Sequence, residues 1–368
     1  MHKTLDPISS YFSLSYSESR DRFLAAARQA DATVTSIKHP LSGPEGEALY
    51  MDVACIGPDD AENALVIVAG THGIEGFCGA GVQTTLLSNP QALALFQDMK
   101  VVLVHGHNPH GFAWLRRVNE DNVDLNRNYV DFSEPQDPNE YYLEVRDLVL
   151  PEEFGEESEA AMQAWISENG VDNYQKAVMS GQRVDPRGVF YGGTSATWSN
   201  ETMHRVLPEV LAGQKNVALM DVHTGLGPYG HGDLIHAYAR DTPEYLELQN
   251  WFGEEIFAIN AGEYGETAAV ANGPIVSSLD SILPNHRSFA LVNEYGTVDF
   301  DRVIKAIRAD NWLHLKGDLD SGQGRAIKQE MRDCFYCVKD EWRQMIWDRA
   351  LWSFERMAAG LRKLPELP

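Results

Sequence analysis

The chain has 368 residues, with 54 acidic against 30 basic side chains and a formal net charge of −24. Binding of nucleic-acid phosphates depends on clustered Lys and Arg, so we expect no nucleic-acid partner. Apolar residues make up 43% of the chain, which is enough for a large core. No segment approaches the roughly 18 to 20 apolar residues of a membrane span, and the first residues lack a signal-peptide core. We therefore expect a cytoplasmic protein without a membrane partner.

Apolar periodicity predicts that strands and helices alternate along the chain, as they do in α/β proteins. In the first half the predicted elements are a helix at 17–30, strands near 47–55, 64–70 and 100–105, and helices after residue 75 and around 91–98. In the second half they are strands near 216–221, 233–239 and 288–294, with helices at 199–212, 243–261 and 299–315. We expect one α/β fold with a mostly parallel or mixed central sheet and helices on both faces. The cap of the helix at 199–212 is predicted to be Ser199 or Asn200.

Two further segments complete the predicted domain organisation. A helical stretch near 135–185 lies between an arginine-rich loop and the next core strand, and we interpret it as an insertion that covers the site. Residues 1–330 then form a single catalytic domain, and 331–368 form a C-terminal helical extension. A helix at 338–362 carries Trp342, Trp347 and Trp352, which predict packing on the body of the protein or on a second subunit of a homo-oligomer.

The segment His72-Gly-Ile-Glu75 follows an apolar run directly and places an imidazole and a carboxylate three residues apart at a strand end. Side chains at this spacing on one helical turn point the same way, so both can bind one ion. Zinc in hydrolases often has two His ligands and one Glu ligand, which requires another His. The best candidate is His223, because it ends a second buried strand and Asp221, two residues earlier, points to the same face.

The loop after the strand at 101–105 is rich in arginines and amides. It contains Arg116, Arg117 and the motif Val-Asp124-Leu-Asn126-Arg127-Asn. An arginine can stabilise the oxyanion that develops when a metal polarises a carbonyl, and a guanidinium binds a terminal carboxylate through two hydrogen bonds. The loop supplies candidates for both functions. Further along, Glu294 ends another apolar run, where a carboxylate could deprotonate the water of a metal.

The order of these motifs resembles that of the zinc carboxypeptidase superfamily, which includes the succinylglutamate desuccinylase and aspartoacylase group of N-acyl amino acid hydrolases. The matching motifs are His-x-x-Glu, Asn-Pro-x-Gly, Val-Asp-Leu-Asn-Arg-Asn, Asp-x-His and a late Glu, all between residues 45 and 300. Within the superfamily the sequence is most similar to a bacterial carboxypeptidase-like branch classed as a domain of unknown function, DUF2817. The resemblance implies a zinc carboxypeptidase-like fold of the phosphorylase/hydrolase-like class.

The same resemblance implies one zinc ion per chain, with His72, Glu75 and His223 as its ligands. It implies Glu294 as the general base, which activates water and later protonates the leaving amine. Asp124 is expected to orient His72 through its other ring nitrogen without touching the metal.

Roles in substrate binding also follow from the resemblance. Asn126 and Arg127 are expected to bind the free carboxylate of the substrate, and Arg117 to stabilise the oxyanion, with Arg116 as the alternative. The chain departs from the family pattern at His110, where an Asp is common in Asn-Pro-x-Gly. Candidates for a tyrosine that closes on the substrate are Tyr191, Tyr229, Tyr238 and Tyr264.

The implied function is zinc-dependent hydrolysis of amide bonds beside a free carboxylate. A metallocarboxypeptidase acting on small peptides is favoured, and a deacylase acting on N-acyl amino acids is the alternative. A non-catalytic binding protein with the same fold is a third possibility, but the retained Glu294 favours an enzyme. The stretch His105, His107 and His110 lacks an acidic residue, so we expect local packing there instead of a second metal. We expect the four cysteines to be reduced thiols.

Overall fold

The computed structural model of the protein describes residues 6–258 and 272–365. Within them the strands are β1 (Thr33–Ser42), β2 (Ala48–Ile56), β3 (Asn63–Ala69), β4 (Lys100–His105), β5 (Asn216–Tyr229), β6 (Asp233–His236), β7 (Ile256–Ala258) and β8 (Arg287–Gly296). The helices are α1 (Tyr16–Gln29), α2 (Gly76–Ser88), α3 (Pro90–Leu93), α4 (Pro109–Ala113), α5 (Tyr142–Val149), α6 (Glu156–Asn169), α7 (Val171–Tyr174), α8 (Trp198–Val210), α9 (Pro243–Phe252), α10 (Leu279–Ile282), α11 (Phe300–Lys316), α12 (Gly322–Phe335) and α13 (Asp340–Leu361).

All eight described strands join one mixed sheet in the order β1-β2-β4-β3-β5-β8-β6-β7. The four central strands β4, β3, β5 and β8 are parallel, whereas β2 and β6 add antiparallel neighbours on either side. The predicted mostly parallel or mixed sheet is therefore confirmed. Strand β1 was not predicted, because it is an edge strand with a single buried residue, His39, and has no apolar alternation.

Helices cover both faces of this sheet, as predicted. Alternate side chains of β3 point to opposite sides. Leu65 packs in a cluster with Phe77 of α2, whereas Val66 packs in a second cluster with Leu207 of α8. Burial on both faces explains why the central strands are continuous apolar runs in the sequence.

Close packing of α2 on the sheet positions the turn that precedes it. A Cβ atom on Gly79 would lie 2.6 Å from the Cβ atom of Ala69, so only glycine allows the helix to approach β3 this closely. Because α2 begins at Gly76, this contact also fixes the backbone immediately after Glu75.

Two predicted helix boundaries are wrong. The cap of α8 is Thr197, whose side chain accepts the N–H of Asn200, whereas Ser199 donates its hydroxyl to the carbonyl of His107. The helix predicted at 243–261 ends at Phe252, because Gly253 has a φ of 66° and strand β7 follows. The last residues of that prediction, from 259, lie outside the described residues.

The C-terminal helices pack against the same core as α2. Helix α12 was not predicted, and it runs across residue 330. In α13, Trp342, Phe354 and Met357 are fully buried in the cluster that contains Phe77. None of the described helices is long and apolar enough to cross a membrane.

Candidate metal centre

Three buried side chains from two strand ends converge at the C-terminal edge of the parallel strands. The Nδ1 atom of His72 lies 2.8 Å from Oε1 of Glu75, and the Nδ1 atom of His223 lies 3.0 Å from Oε2 of the same carboxylate. The two Nδ1 atoms are 3.1 Å apart. The structure thus brings together the three residues that the sequence predicts as zinc ligands.

The turn that presents His72 and Glu75 is held by backbone contacts with the arginine loop. Gly73 donates its N–H to the carbonyl of Arg117, and Ile74 donates to the carbonyl of Arg116. A Cβ atom on Gly73 would lie 2.0 Å from a backbone carbon of Gly111, so this position requires glycine. The two loops form one packed unit at the strand ends.

Each imidazole contacts an aspartate through Nε2, the ring nitrogen that does not contact Glu75. Nε2 of His72 lies 3.1 Å from Oδ1 of Asp124, and Nε2 of His223 lies 2.7 Å from Oδ2 of Asp221. The other oxygen of Asp221 accepts the hydroxyl of Thr71 at 2.8 Å. Carboxylates placed in this way fix the tautomer of a metal-binding histidine and leave Nδ1 free for the ion.

These donors fit a zinc ion. Zinc–nitrogen and zinc–oxygen bonds of about 2.0 to 2.2 Å in tetrahedral geometry separate neighbouring donors by about 3.3 Å. The observed separations of 2.8, 3.0 and 3.1 Å are close to that value, and the donors are two imidazole nitrogens and a carboxylate whose two oxygens each face one of them. Two His and one Glu are a frequent ligand set of hydrolytic zinc, and they leave the fourth position open.

Charges around the donors suit a cation. Burial raises the pKa of Glu75, but His72 and His223 outweigh burial and hold that pKa below its usual value. Burial lowers the pKa of His223, but Asp221 and Glu75 outweigh it and hold that pKa well above the usual value. A cation that binds here therefore displaces a proton from the imidazole and takes over its contacts with the carboxylates.

Glu294 lies beside this cluster on the neighbouring strand. It pairs with His223 in the register of β5 and β8, and its Oε1 accepts the N–H of Leu226 at 3.0 Å. Burial, together with the nearby charge of Glu75, raises the pKa of Glu294 to about 8. A carboxyl group with a pKa in this range can take up and release a proton near neutral pH.

The two adjacent arginines of the loop point in different directions. Nε of Arg117 donates to Asp124 at 2.9 Å, and Nη1 lies 3.6 Å from Oε1 of Glu75. Arg116 instead points to Asp310, with its Nε 3.4 Å from the carboxylate. Arg117 is therefore the arginine that lies beside the candidate ligands, and the position of Arg116 gives no support to its alternative role.

Asn126 and Arg127 are both buried, and the backbone N–H of Asn126 donates to Asp124, the partner of His72. The guanidinium of Arg127 donates from Nη1 to the carbonyl of Asn126 and from Nη2 to the carbonyl of Met179 in the insertion. Nε of Arg127 and Oδ1 of Asn126 have no hydrogen-bond partner among the described residues. These two unsatisfied polar atoms are available to a ligand.

The remaining histidines of the sequence pattern pack locally. His105 contacts Ser19 at 3.0 Å, and His107 contacts the hydroxyl groups of Thr71 and Tyr129. The four cysteines are free.

Several contacts of the site were not predicted from the sequence. Asp310 binds Lys328 as well as Arg116, so α11 and α12 anchor the arginine loop. Arg183, in the insertion, donates to the carbonyl of Arg127 at 2.7 Å. Neither Asp310 nor Arg183 belongs to a motif, and only the folded chain brings them to the loop.

Comparisons with known proteins give a family and remote structural similarities. Residues 12–349 match the sequence profile of a protein family of unknown function, DUF2817. A search of the curated proteins gives no match. Among solved structures, bovine thrombin-activatable fibrinolysis inhibitor in complex with tick carboxypeptidase inhibitor has 14% identity and a TM-score of 0.46, with 96% of this chain and 98% of that chain covered. Carboxypeptidase A from Helicoverpa armigera has 13% identity and a TM-score of 0.47, with 87% of this chain and 73% of that chain covered.

The family profile covers nearly the whole chain, including the candidate ligands and the candidate base. The resemblance to the branch of unknown function is thereby confirmed, and the chain belongs to the DUF2817 family.

Proposed function

We propose that the protein is a zinc-dependent hydrolase of amide bonds beside a free carboxylate, with a small peptide as its substrate, and thus a metallocarboxypeptidase. The main support is the convergence of His72, Glu75 and His223 with Glu294 opposite His223 on the next strand. Three donors with one open position, and a carboxyl group beside them that can accept and release a proton, are what hydrolysis of an amide requires.

A zinc ion held by these residues acts as a Lewis acid, which polarises a carbonyl and acidifies water. Glu294 moves the protons: it takes one from the attacking water and delivers it to the leaving nitrogen. Its Oε1 accepts the N–H of Leu226, so the other oxygen is free to carry the proton. We assign the stabilisation of the developing oxyanion to Arg117, and the support is the contact of its guanidinium with Glu75.

Arg127 and Asn126 bind the terminal carboxylate in this proposal. The support is the buried Nε–H of Arg127, a donor that lacks a partner among the described residues. Asn126 would contribute the N–H groups of its amide, because its Oδ1 can only accept a hydrogen bond. The ring of Phe190 lies next to both Arg127 and Arg117. The guanidinium groups of Arg117 and Arg127 lie 5.0 and 5.7 Å from its centroid, so the proposed carboxylate site is close to the candidate metal centre.

The test is a panel of substrates incubated with zinc-loaded protein, with and without a chelator. The panel contains peptides with a free C-terminus, the same peptides with an amidated C-terminus, and N-acyl amino acids. We expect chelator-sensitive cleavage of free C-termini only, because amidation removes a charge-assisted contact worth about 1.5 to 3 kcal/mol. Faster cleavage of N-acyl amino acids than of peptides would replace the carboxypeptidase by a deacylase. Cleavage that is indifferent to the chelator would refute a zinc hydrolase.

A further inference from the structure

A cavity of about 1350 Å³ lies between the arginine loop and the helical insertion. Arg127 lines it from the loop, and Gln175 and Arg183 line it from the insertion. Gln175 begins a π-helical turn, Gln175–Met179, a rare form that is frequent at functional sites. The cavity is larger than a single terminal carboxylate needs, so it can accept a whole side chain.

The cavity contains two guanidinium groups that lack a carboxylate partner among residues 6–258 and 272–365. Arg183 donates from Nη1 to the carbonyls of Gly192 and Gly193 and from Nη2 to the carbonyl of Arg127. Arg127 likewise uses its Nη atoms on backbone carbonyls. Backbone carbonyls hold the two groups in place but do not neutralise their charge, in a chain with an excess of acidic residues.

The donors that remain on these groups suit a planar anion. The Nε–H of Arg127 is buried and without a partner among the described residues. The hydrogen bonds that the Arg183 guanidinium makes to described residues leave from its Nη1 and Nη2 atoms. Each arginine keeps an Nε–H beside an Nη2 that has a second proton, and this edge of a guanidinium binds both oxygens of a carboxylate. Gln175 is more than nine-tenths buried and its Nε2 also lacks a partner, which adds a neutral donor to the same cavity.

The acidic residues that line the cavity differ from these cations in exposure. Asp137, Glu140, Glu144 and Asp172 are all exposed to solvent, whereas Arg127 is only 7% exposed and Arg183 is partly buried. Water and salt screen exposed charges strongly and buried charges weakly. The inner part of the cavity is therefore cationic for a ligand that reaches the arginines.

We propose that Arg183 and Gln175 form a second carboxylate subsite, which holds an acidic side chain of the substrate while Arg127 holds its terminal carboxylate. This inference rests on the proposed function and deepens it, because it names the substrate class as peptides whose C-terminal residue is a dicarboxylic amino acid. Arg183 is a specificity-determining residue in this arrangement, since it discriminates a carboxylate from its neutral amide.

The first test measures binding without hydrolysis. Glutarate, a dicarboxylate, and its monoamide glutaramate are titrated calorimetrically into the full-length protein with and without zinc. We expect glutarate to bind about 10- to 100-fold more tightly than glutaramate in both forms, the ratio that a charge-assisted contact gives. Equal affinities would overturn the second subsite.

Variants of the cavity locate the contact. Arg183→Gln is expected to abolish the difference between glutarate and glutaramate. Lys176→Gln is the matched control: it removes another cation of the same cavity, whose ammonium lies on the ring of Tyr141, and should preserve the difference. If both variants lose the difference between glutarate and glutaramate to the same extent, the preference is a general effect of positive charge, and the proposal is overturned.

Because Arg183 also holds three backbone carbonyls, a second variant guards against a folding defect. Gln175→Leu removes an Nε2 that has no internal hydrogen bond, so the loop should keep its structure. We expect the preference for glutarate to fall about three- to tenfold, as for one neutral hydrogen bond. An unchanged preference would exclude Gln175 from the subsite.

Measurements of hydrolysis distinguish a failure of this inference from a failure of the proposed function. Acylated dipeptides ending in Glu, Gln or Lys, all with a free C-terminus, are compared by kcat/KM. Chelator-sensitive cleavage with equal rates for Glu and Gln, or with a preference for Lys, would overturn the subsite and leave the hydrolase intact. A preference for binding glutarate without any hydrolysis would overturn the hydrolase and leave the anion subsite intact.

Discussion

Glu294 lies directly opposite His223 on the neighbouring parallel strand. The pairing of β5 with β8 is continuous from Asn216 opposite Arg287 to Thr224 opposite Tyr295. Because successive side chains point to opposite faces, a slip of one residue would turn Glu294 away from the metal centre. The register of two buried strands thus fixes the distance between a candidate ligand and the candidate base.

Replacing Glu294 by Gln is expected to reduce kcat by at least about 100-fold, since the amide cannot accept the proton from water. Zinc content should remain at the wild-type level, because Glu294 is not among the three donors. Turnover numbers and metal analysis of the purified variant test both points. Glu209→Gln, at an exposed position of α8, is the control and should keep full activity. If Glu294→Gln keeps near-normal turnover while it binds metal, Glu294 is not the general base.

Replacing Asp221 by Asn is expected to weaken zinc binding by about 10- to 100-fold, because the amide does not orient His223 as the carboxylate does. Titration against a competing chelator measures this affinity. The control is Asp52→Asn, which also removes a buried carboxylate but one that pairs with Arg20 instead of a histidine. If both variants bind zinc as tightly as the wild type, Asp221 does not support the ligand.

Arg116 and Arg117 are adjacent in sequence, but we expect their replacement by Ala to have different effects. Arg117→Ala should lower kcat by about 100-fold or more, because it removes the cation beside Glu75. Arg116→Ala should instead lower the free energy of unfolding by about 3 kcal/mol, because it breaks a buried ion pair with Asp310. Urea unfolding and turnover, measured on both variants, distinguish the two effects. Equal losses of kcat at constant stability would contradict the assignment.

Protein stability is expected to decrease as the pH falls from about 6.5 to about 4. Burial lowers the pKa of His105 to about 4, whereas the unfolded chain protonates this residue below about 6.5. Between these values the unfolded state binds more protons, so the free energy of unfolding falls with the pH, by about 3 kcal/mol for His105 alone. Urea unfolding at several pH values tests this. His105→Gln should show a weaker pH dependence, and an unchanged dependence would assign the effect to other groups.

Local sequence signals were sufficient to predict that the three candidate donors and Glu294 lie together, but not to predict the cavity beside Arg127. His72, Glu75, His223 and Glu294 each follow an apolar run, and parallel strands bring their carboxyl ends to one edge of the sheet. Arg183 follows no such run, and its position near Arg127 depends on how the insertion folds back on the loop. Helix α12 was not predicted from the sequence, because exposed polar residues separate its few buried ones. The helix predicted at 299–315 ends before α12 begins.

The candidate donors are far apart in the unfolded chain, because the pairing of β3 with β5 is what brings residue 72 close to residue 223. Any metal affinity is therefore a property of the native state, and under the proposed function zinc uptake and folding would be thermodynamically linked. Free zinc at 100 times its dissociation constant would add about 3 kcal/mol to the stability of the fold. Cells short of zinc would then contain more unfolded chains, which proteases remove, so the abundance of this protein should follow the supply of the ion.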